Sequence, residues 1–328
     1  MEELSRGTPA NPFTEIRILT LHTTRGANYW SHRPVTRMDL DIGAFEDISS
    51  ADVSWMTDQL VAALPGLEEH RCSVGTRGGF IQRLRRGTYA AHIIEHVALE
   101  LQSMIGHEVG YGRTRGTGVP GCYTLAFAHV HEMVGLRAAA LALETVQRAF
   151  AGTLHDVDLY LAELRTLAEQ PTPAPLRQTV WCGVTGSVGR ALAVEQLVQC
   201  RRGDDVTGVD GADDGATLVI DVAPSYILEA GLPYSHSDVA VILDANLLDV
   251  PDRYRDPERA ARLVSVLADA VPSKGPVIAP SDATHIHEWV RDAGRDVMKF
   301  SPSSDIDEHV RRAVAAVHEV TLSVRHAH

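Results

Sequence analysis

The chain of 328 residues lacks the long apolar run that a membrane span requires. Its first residues, Met-Glu-Glu-Leu, are not those of a signal peptide. Cysteine is scarce too, and its positions show no CxxC spacing, which indicates free thiols in a reducing compartment. The four are Cys72, Cys122, Cys182 and Cys200. These absences predict a cytoplasmic protein with no membrane partner.

Basic charge is in deficit as well. Lysine and arginine together number 30 against 43 aspartates and glutamates, which gives a formal net charge of −13 at pH 7. This balance argues against nucleic acid or an anionic membrane as the main partner. It would suit a cationic small molecule or peptide, although a solvated acidic surface is the commoner explanation of such a charge.

A proline-rich stretch at residues 170–177 divides the chain into two predicted domains. Residues 1–14 are predicted to be disordered, and residues 15–169 mix strands and helices. Residues 178–328 alternate the two, as in an open, mostly parallel sheet. The predicted fold class is therefore α/β, with an α+β first domain and a Rossmann-like second domain. The strands predicted for the second domain are 178–183, 205–209, 217–222, 238–243, 276–279 and 296–300.

The most informative stretch is residues 91–100, which reads as a helix. A helix places His92, His96 and Glu100 one turn apart on one stripe, with Glu95 beside them. Two imidazoles at i and i+4 can hold one metal ion, and a carboxylate between them can take a proton from a metal-bound water. The order His-x-x-Glu-His is that of the inverzincin motif. A helix with surface histidines is the simpler interpretation of the same residues.

Zinc is the predicted ion, because two imidazoles and a carboxylate suit it. His92 and His96 are the predicted ligands, and Glu95 is the predicted general base.

The third ligand stays open at this point. Glu132, at the start of a later helix, is the first choice, because inverzincin sites take a downstream glutamate. Glu100 is the second, unless it orients an imidazole instead of binding the metal. Cys122 and His131 are further alternatives.

A glycine-rich loop at residues 110–121 carries two arginines, Arg113 and Arg115. Backbone N–H groups and guanidiniums in such a loop can converge on an anion. The loop predicts that the two arginines hold a substrate carboxylate or a tetrahedral intermediate. Salt bridges to the acidic surface are the alternative.

Residues 183–191 form a second glycine-rich turn, at a strand-to-helix junction where a nucleotide phosphate could bind. A working P-loop needs Lys and then Ser or Thr after its last glycine. Here those positions hold Arg190 and Ala191. Alanine cannot ligate magnesium, so the sequence predicts a vestigial phosphate site and no ATP cofactor.

Four motifs of the first half closely resemble the N-terminal domain of cyanophycin synthetases, over about residues 15–168. They are Gly-Ala-Asn-Tyr-Trp at 26–30, Leu-Pro-Gly-Leu-Glu-Glu-His-Arg-Cys-Ser at 64–73, the histidine helix at 92–102, and Gly-Arg-Thr-Arg at 112–115. These enzymes polymerise aspartate and arginine, with an ATP-grasp domain and a Mur-ligase-like domain after the N-terminal domain. In some members the N-terminal domain is itself a metal-dependent hydrolase that trims the polymer. The resemblance implies a metallohydrolase-like first domain.

The second half resembles a fragment of the family's Mur-ligase-like domain, at residues 218–232 and 237–243. It departs from that domain at Arg190 and Ala191, at Asp221 in place of a glutamate, and at Pro224-Ser225 in place of most of a glycine turn. No ATP-grasp domain lies between the halves. The resemblance therefore implies a degenerate Mur-type domain.

Two functional hypotheses follow. The first is a zinc-dependent amidohydrolase or peptidase that cuts an amide bond in an aspartate/arginine-type peptide or a related small amide. The second is a non-catalytic binding or scaffold protein, or a subunit of an amino-acid ligase system derived from cyanophycin synthetase. A homo-oligomer is expected in either case, since Mur-like sheets leave apolar edges once their neighbouring domains are gone. An ATP-dependent ligase that uses Arg190 is the least favoured idea.

Overall fold

The computed structural model describes residues 10–24, 26–171, 179–204 and 218–325. The chain divides into two compact units. The first comprises residues 1–23 and 34–173, and the second comprises residues 24–33 and 174–328. Most of the predicted linker at 170–177 and most of the predicted disorder at 1–14 lie outside the described residues. Within the latter range, however, Pro12–Glu15 form a one-turn helix, with Asn11 as its cap.

The first unit contains a four-stranded antiparallel sheet in the order β1-β2-β4-β3. Side chains alternate between its two faces, so Met38 and Leu40 of β2 share one face with Leu125 of β4, and all three are fully buried. This face contributes to the apolar core that the helices complete. The strands are β1 (Arg17–Thr23), β2 (Val35–Asp41), β3 (Gly112–Gly116) and β4 (Cys122–Ala128).

Six helices accompany this sheet, and α4 and α5 are the two longest. Helix α4 is buried on nearly all sides because its apolar residues extend around it, and Ile93, Val97 and Leu101 are fully buried. The helices are α1 (Pro12–Glu15), α2 (Met56–Ala63), α3 (Gly79–Arg86), α4 (Ala90–Ser103), α5 (Glu132–Phe150) and α6 (Asp158–Ala168). Short 3₁₀ turns lie at Gly43–Glu46, Ser50–Asp52, Pro65–Glu69 and Cys72–Val74.

The second unit contains a five-stranded parallel sheet in the order β6-β5-β7-β8-β9. This confirms the predicted α/β class with a Rossmann-like sheet. The strand predicted at residues 205–209 lies outside the described residues. The strands are β5 (Thr179–Thr185), β6 (Leu218–Asp221), β7 (His236–Ile242), β8 (Pro276–Pro280) and β9 (Asp296–Phe300).

The helices of the second unit follow the strands closely, as parallel connections require. A turn at Ser265 and Val266 separates two of these helices, which end at Val264 and begin at Leu267. The helices are α7 (Arg190–Asp204), α8 (Pro224–Ala230), α9 (Pro257–Val264), α10 (Leu267–Ala270), α11 (Thr284–Asp292) and α12 (Ile306–Arg325), with a 3₁₀ turn at Asp252–Tyr254. Among the described residues, no helix is both long and apolar enough to cross a bilayer.

Residues 24–33 lie between β1 and β2 in sequence but belong to the second unit. The Leu232 N–H donates to the Ala27 carbonyl at 2.8 Å. Tyr29 packs edge-on against Tyr254, with ring centroids 5.3 Å apart, and Arg262 lies over its ring. The second unit is thus built from two separate stretches of the chain.

Candidate functional site

Helix α4 organises the candidate site of the first unit. It begins after Tyr89, and Thr88, just before it, is held by a hydrogen bond from its backbone N–H to the Ser50 hydroxyl. The helical spacing places His92, His96 and Glu100 on one stripe, as expected. His96 and Glu100 are more than nine-tenths buried. Polar groups at such depth require partners, and those partners define the site.

A cavity of about 820 Å³ lies beside α4. Helix α4 contributes His92, Glu95 and His96 to its lining. The segment around the 3₁₀ turns contributes His70 and Cys72, which the sequence had not singled out as site residues. The cavity therefore collects imidazoles, a thiol and a carboxyl group within one unit.

Cys72 forms a group of three potential metal ligands with His92 and His96. One ligand atom of each, a sulfur or a ring nitrogen, lies within 4.8 Å of the other two. Cys72 Sγ is 3.4 Å from His92 Nε2, and the other nitrogen of that ring, Nδ1, is 2.9 Å from Thr88 Oγ1. A thiolate and two imidazoles are a donor set that divalent transition metals accept. The third potential ligand of this group is therefore the Cys72 thiol and not Glu132.

His70 connects this group to Glu100. The two Nδ1 atoms of His70 and His96 are 2.8 Å apart, and His70 Nε2 is 3.1 Å from Glu100 Oε2. Glu100 thus pairs with an imidazole and is not part of the three-ligand group. The lack of a side chain at Gly66 leaves room for the Glu100 carboxylate, because a Cβ at residue 66 would overlap it.

Burial keeps both α4 imidazoles neutral near pH 7. It lowers the pKa of His92 to about 4, and the positive charge of Arg83 acts in the same direction. It lowers the pKa of His96 to about 2, with His92 and His70 adding to the effect. A neutral imidazole retains the lone pair that a metal ion requires.

Glu95 lies in the same cavity and is 5% exposed. Burial raises the pKa of its carboxyl group to about 7, against the opposing effects of the Thr114 hydrogen bond and of His70. The Thr114 hydroxyl donates to Glu95 Oε2. Gly112 leaves room for the carboxylate, because a Cβ at that position would overlap Glu95 Oε1. The predicted base is therefore placed beside the predicted ligands.

The two arginines of β3 have different surroundings. Arg113 lines the cavity, whereas Arg115 is not among its lining residues. In the strand register Thr114 is paired with Leu125 on the core face, while Arg113 and Arg115 belong to the opposite face. Of the two arginines, only Arg113 is among the lining residues of the cavity.

The other candidates for the third ligand lie elsewhere in the first unit. Glu132 accepts a hydrogen bond of 2.6 Å from the Thr23 hydroxyl. His131 Nε2 is 3.0 Å from the Gln170 carbonyl oxygen. Cys122, like these two, is not among the lining residues of the cavity. Cys72 was not among the candidates that the sequence had offered for the third ligand.

In the second unit, the glycine-rich turn after β5 contains an acidic side chain of the protein itself. The carboxylate of Asp244 accepts hydrogen bonds from the backbone N–H groups of Ser187, at 3.0 Å, and Val188, at 3.2 Å. Arg190, at the position of the P-loop lysine, is paired with Asp221 at 2.6 Å. The groups that would face a phosphate are thus engaged within the chain.

Comparison with known proteins finds relatives of the first half of the chain. Residues 37–151 match the family described as the cyanophycin synthase-like N-terminal domain. The chain is similar to the cyanophycin synthetase of Crocosphaera subtropica, with 40% identity over 195 residues, 56% of this chain and 22% of that protein. It is 39% identical to the cyanophycin synthetase of Synechocystis sp. over 171 residues, 50% of this chain and 20% of the relative. The chain spans about a fifth of the length of these relatives.

These relatives overturn the main functional prediction. They are named as synthetases, which join their substrates, and not as hydrolases. The prediction of a zinc-dependent amidohydrolase or peptidase was therefore wrong. The motif at residues 92–96 led to that error because the inverzincin order of residues is short and does not specify a reaction.

Proposed function

We propose that this chain, whose residues 37–151 match the cyanophycin synthase-like N-terminal domain, is a non-catalytic binding subunit of a ligase system related to cyanophycin synthetase. The names of the relatives support a ligase origin. In this proposal the first unit binds an aspartate/arginine-type peptide, and the second unit neither binds nor hydrolyses ATP.

The observation that carries the non-catalytic role is the position of Asp244. A phosphate at the start of a helix is held by backbone N–H groups, and here those of Ser187 and Val188 already hold a carboxylate. A triphosphate would meet that negative charge at close range, and Arg190 is neutralised by Asp221. Both effects oppose nucleotide binding.

The cavity of the first unit supports a peptide ligand that carries both signs of charge. Arg83 and Arg113 are among its lining residues, and a guanidinium group can pair with a carboxylate. Glu69 lines it as well, and the net charge of the chain, −13, favours the approach of a cationic group. An aspartate/arginine peptide presents both a carboxylate and a guanidinium.

The same proposal includes a metal ion in the cavity. Cys72, His92 and His96 would hold a divalent transition metal, as the chemistry of the three donors allows. When bound, the ion supplies a Lewis-acidic position for a ligand oxygen. In this proposal Arg113 and Glu95, both lining residues of the cavity, are the groups that orient the peptide.

Ligand binding to the full chain tests the proposal. Thermal unfolding is expected to show no magnesium-dependent shift with ATP, whereas titration with a β-aspartyl-arginine peptide is expected to show binding. Mass spectrometry should recover the peptide intact. Arg113→Ala should weaken peptide binding by about tenfold or more, because it removes charge-assisted hydrogen bonds. Arg115→Ala is the matched control, since it removes the same charge from the same strand outside the cavity lining.

Two results would overturn this assignment. One is a clear MgATP-dependent stabilisation with release of ADP in the presence of amino acids, which would indicate an active ligase. The other is equal loss of peptide binding in the two arginine variants, which would indicate general charge attraction rather than a site in the cavity.

A further inference from the structure

We infer that Glu100 and His70 are positioning residues that set the tautomer of His96, so that its Nε2 lone pair faces Cys72 and His92. This inference deepens the proposed function, because it rests on a metal ion held by those three residues. It assigns to Glu100 a role other than the ligand role considered from the sequence.

The first step is the contact between Glu100 and His70. The Glu100 side chain is 4% exposed, and its Oε2 is 3.1 Å from His70 Nε2. A carboxylate can only accept, so the proton of this contact lies on His70 Nε2. A neutral His70 ring then has its lone pair on Nδ1.

The second step is the contact between the rings of His70 and His96. His70 Nδ1 and His96 Nδ1 are 2.8 Å apart, so one of them donates and the other accepts. If His70 Nδ1 accepts, His96 carries its proton on Nδ1. The remaining nitrogen of a neutral His96 ring, Nε2, then presents a lone pair.

The third step concerns the other ligand ring. Thr88 Oγ1 is 2.9 Å from His92 Nδ1 and can accept its proton. The Nε2 lone pair of His92 then faces Cys72 Sγ at 3.4 Å. Each ring thus presents its Nε2 lone pair to a metal ion, because its Nδ1–H is engaged in a hydrogen bond. Such a hydrogen bond on the other ring nitrogen fixes the tautomer and raises the basicity of a metal-binding imidazole.

Packing holds the rings in these positions. Phe80 stacks on His96 with a centroid distance of 3.9 Å and an interplanar angle of 20°. Gly66 leaves the space that the Glu100 carboxylate occupies. The three hydrogen-bonded side chains of Glu100, His70 and His96 are therefore held in place by their packing within the described part of the protein.

The experiment has two arms. In the first, the metal-free protein with ¹⁵N-labelled histidine is studied by NMR, which reports the protonated nitrogen of each ring. We expect His70 protonated at Nε2 and His96 at Nδ1 in the wild type. In the second arm, cobalt is titrated into the full chain, and the sulfur-to-cobalt charge-transfer band reports its binding. Glu100→Gln should weaken cobalt binding by roughly tenfold to a hundredfold, the usual effect of removing an outer partner of a ligand.

Glu68→Gln is the matched control. It removes one negative charge two residues before His70, but Glu68 is exposed and is not among the lining residues of the cavity. Its cobalt affinity and its histidine tautomers should match those of the wild type.

Each outcome decides one claim. His96 protonated at Nε2, or Glu100→Gln binding cobalt as tightly as Glu68→Gln, would overturn the inference. Expected tautomers in a wild-type protein that binds no cobalt would uphold the ordering of the rings and overturn the metal ion in the proposed function. The NMR arm needs no variant, so a Glu100→Gln protein that fails to fold does not prevent the decision.

Discussion

Replacing Phe80 with alanine is expected to lower the free energy of unfolding of the first unit by about 3–5 kcal/mol. The side chain is fully buried in the main apolar core. It is also a wall of the candidate site, because its ring stacks on His96 and meets His92 edge-on at 5.8 Å between centroids. The cavity left by the truncation would therefore loosen the imidazoles as well as the core.

Hydrogen exchange of the α4 amides measures this loss, because it reports the opening of that unit alone. Phe45→Ala is the control: Phe45 is 3% exposed and packs edge-on against Phe150, 4.8 Å away, in the same core. Both variants should lose comparable stability, but only Phe80→Ala should also lose cobalt affinity. Equal cobalt affinities in two folded variants would contradict a role for Phe80 in the site.

The second large effect is expected for Asp244→Ala in the second unit. The change removes the acceptor of three backbone N–H groups, those of Ser187, Val188 and Asn246. Loss of hydrogen bonds to a charged acceptor should cost about 1.5–3 kcal/mol of unfolding free energy. Inorganic phosphate should restore part of it, because the exposed N–H groups at the start of α7 then bind an external anion.

Chemical denaturation with and without phosphate measures both effects. Asp249→Ala is the matched control, since Asp249 accepts from the Ser225 N–H and hydroxyl at the start of the short helix α8. It should lose stability without a specific phosphate response. If Asp244→Ala were as stable as the wild type, or responded to phosphate no more than Asp249→Ala, the carboxylate would not be filling an anion position.

The sequence was most informative where apolar residues recur with a single period, either that of a helix or that of a strand. The apolar positions Ile93, Val97 and Leu101 recur as helix geometry requires, and the predicted helix is present as Ala90–Ser103. The alternation of Met38 and Leu40 with charged residues is likewise typical of a strand, and a strand is present there at Val35–Asp41. These patterns are local, because the environment of each residue repeats along a single element.

The site was predictable only where its residues share that helix. His92, Glu95 and His96 lie one turn or less apart, so their proximity followed from the helix alone. Cys72 and His70 reach them from 3₁₀ segments whose path depends on the tertiary packing of the chain. The signal present in the sequence was the Glu-Glu-His-Arg-Cys-Ser motif at residues 68–73, which contains both residues.

Glu132 shows the opposite case. Its position at the start of a helix that follows a strand suggested a ligand, but the side chain accepts a hydrogen bond from Thr23 on β1 instead. The departures at Arg190 and Ala191 predict loss of the phosphate site, which stays a prediction until ATP binding is measured. That Asp244 fills the turn depends on the pairing of β7 beside β5, a contact between distant parts of the chain that no local pattern encodes.

The segment at residues 24–33 affects how the chain can be cut. A fragment that starts at residue 174 would omit Tyr29, whose ring packs with Tyr254 and Arg262, and His32, which pairs with Asp269 at 2.8 Å. Such a fragment would expose apolar surface that the segment normally covers, and Asp269 would lose its imidazole partner. The proline-rich stretch is therefore a boundary in the sequence but not a place where two complete, separately folding halves can be obtained.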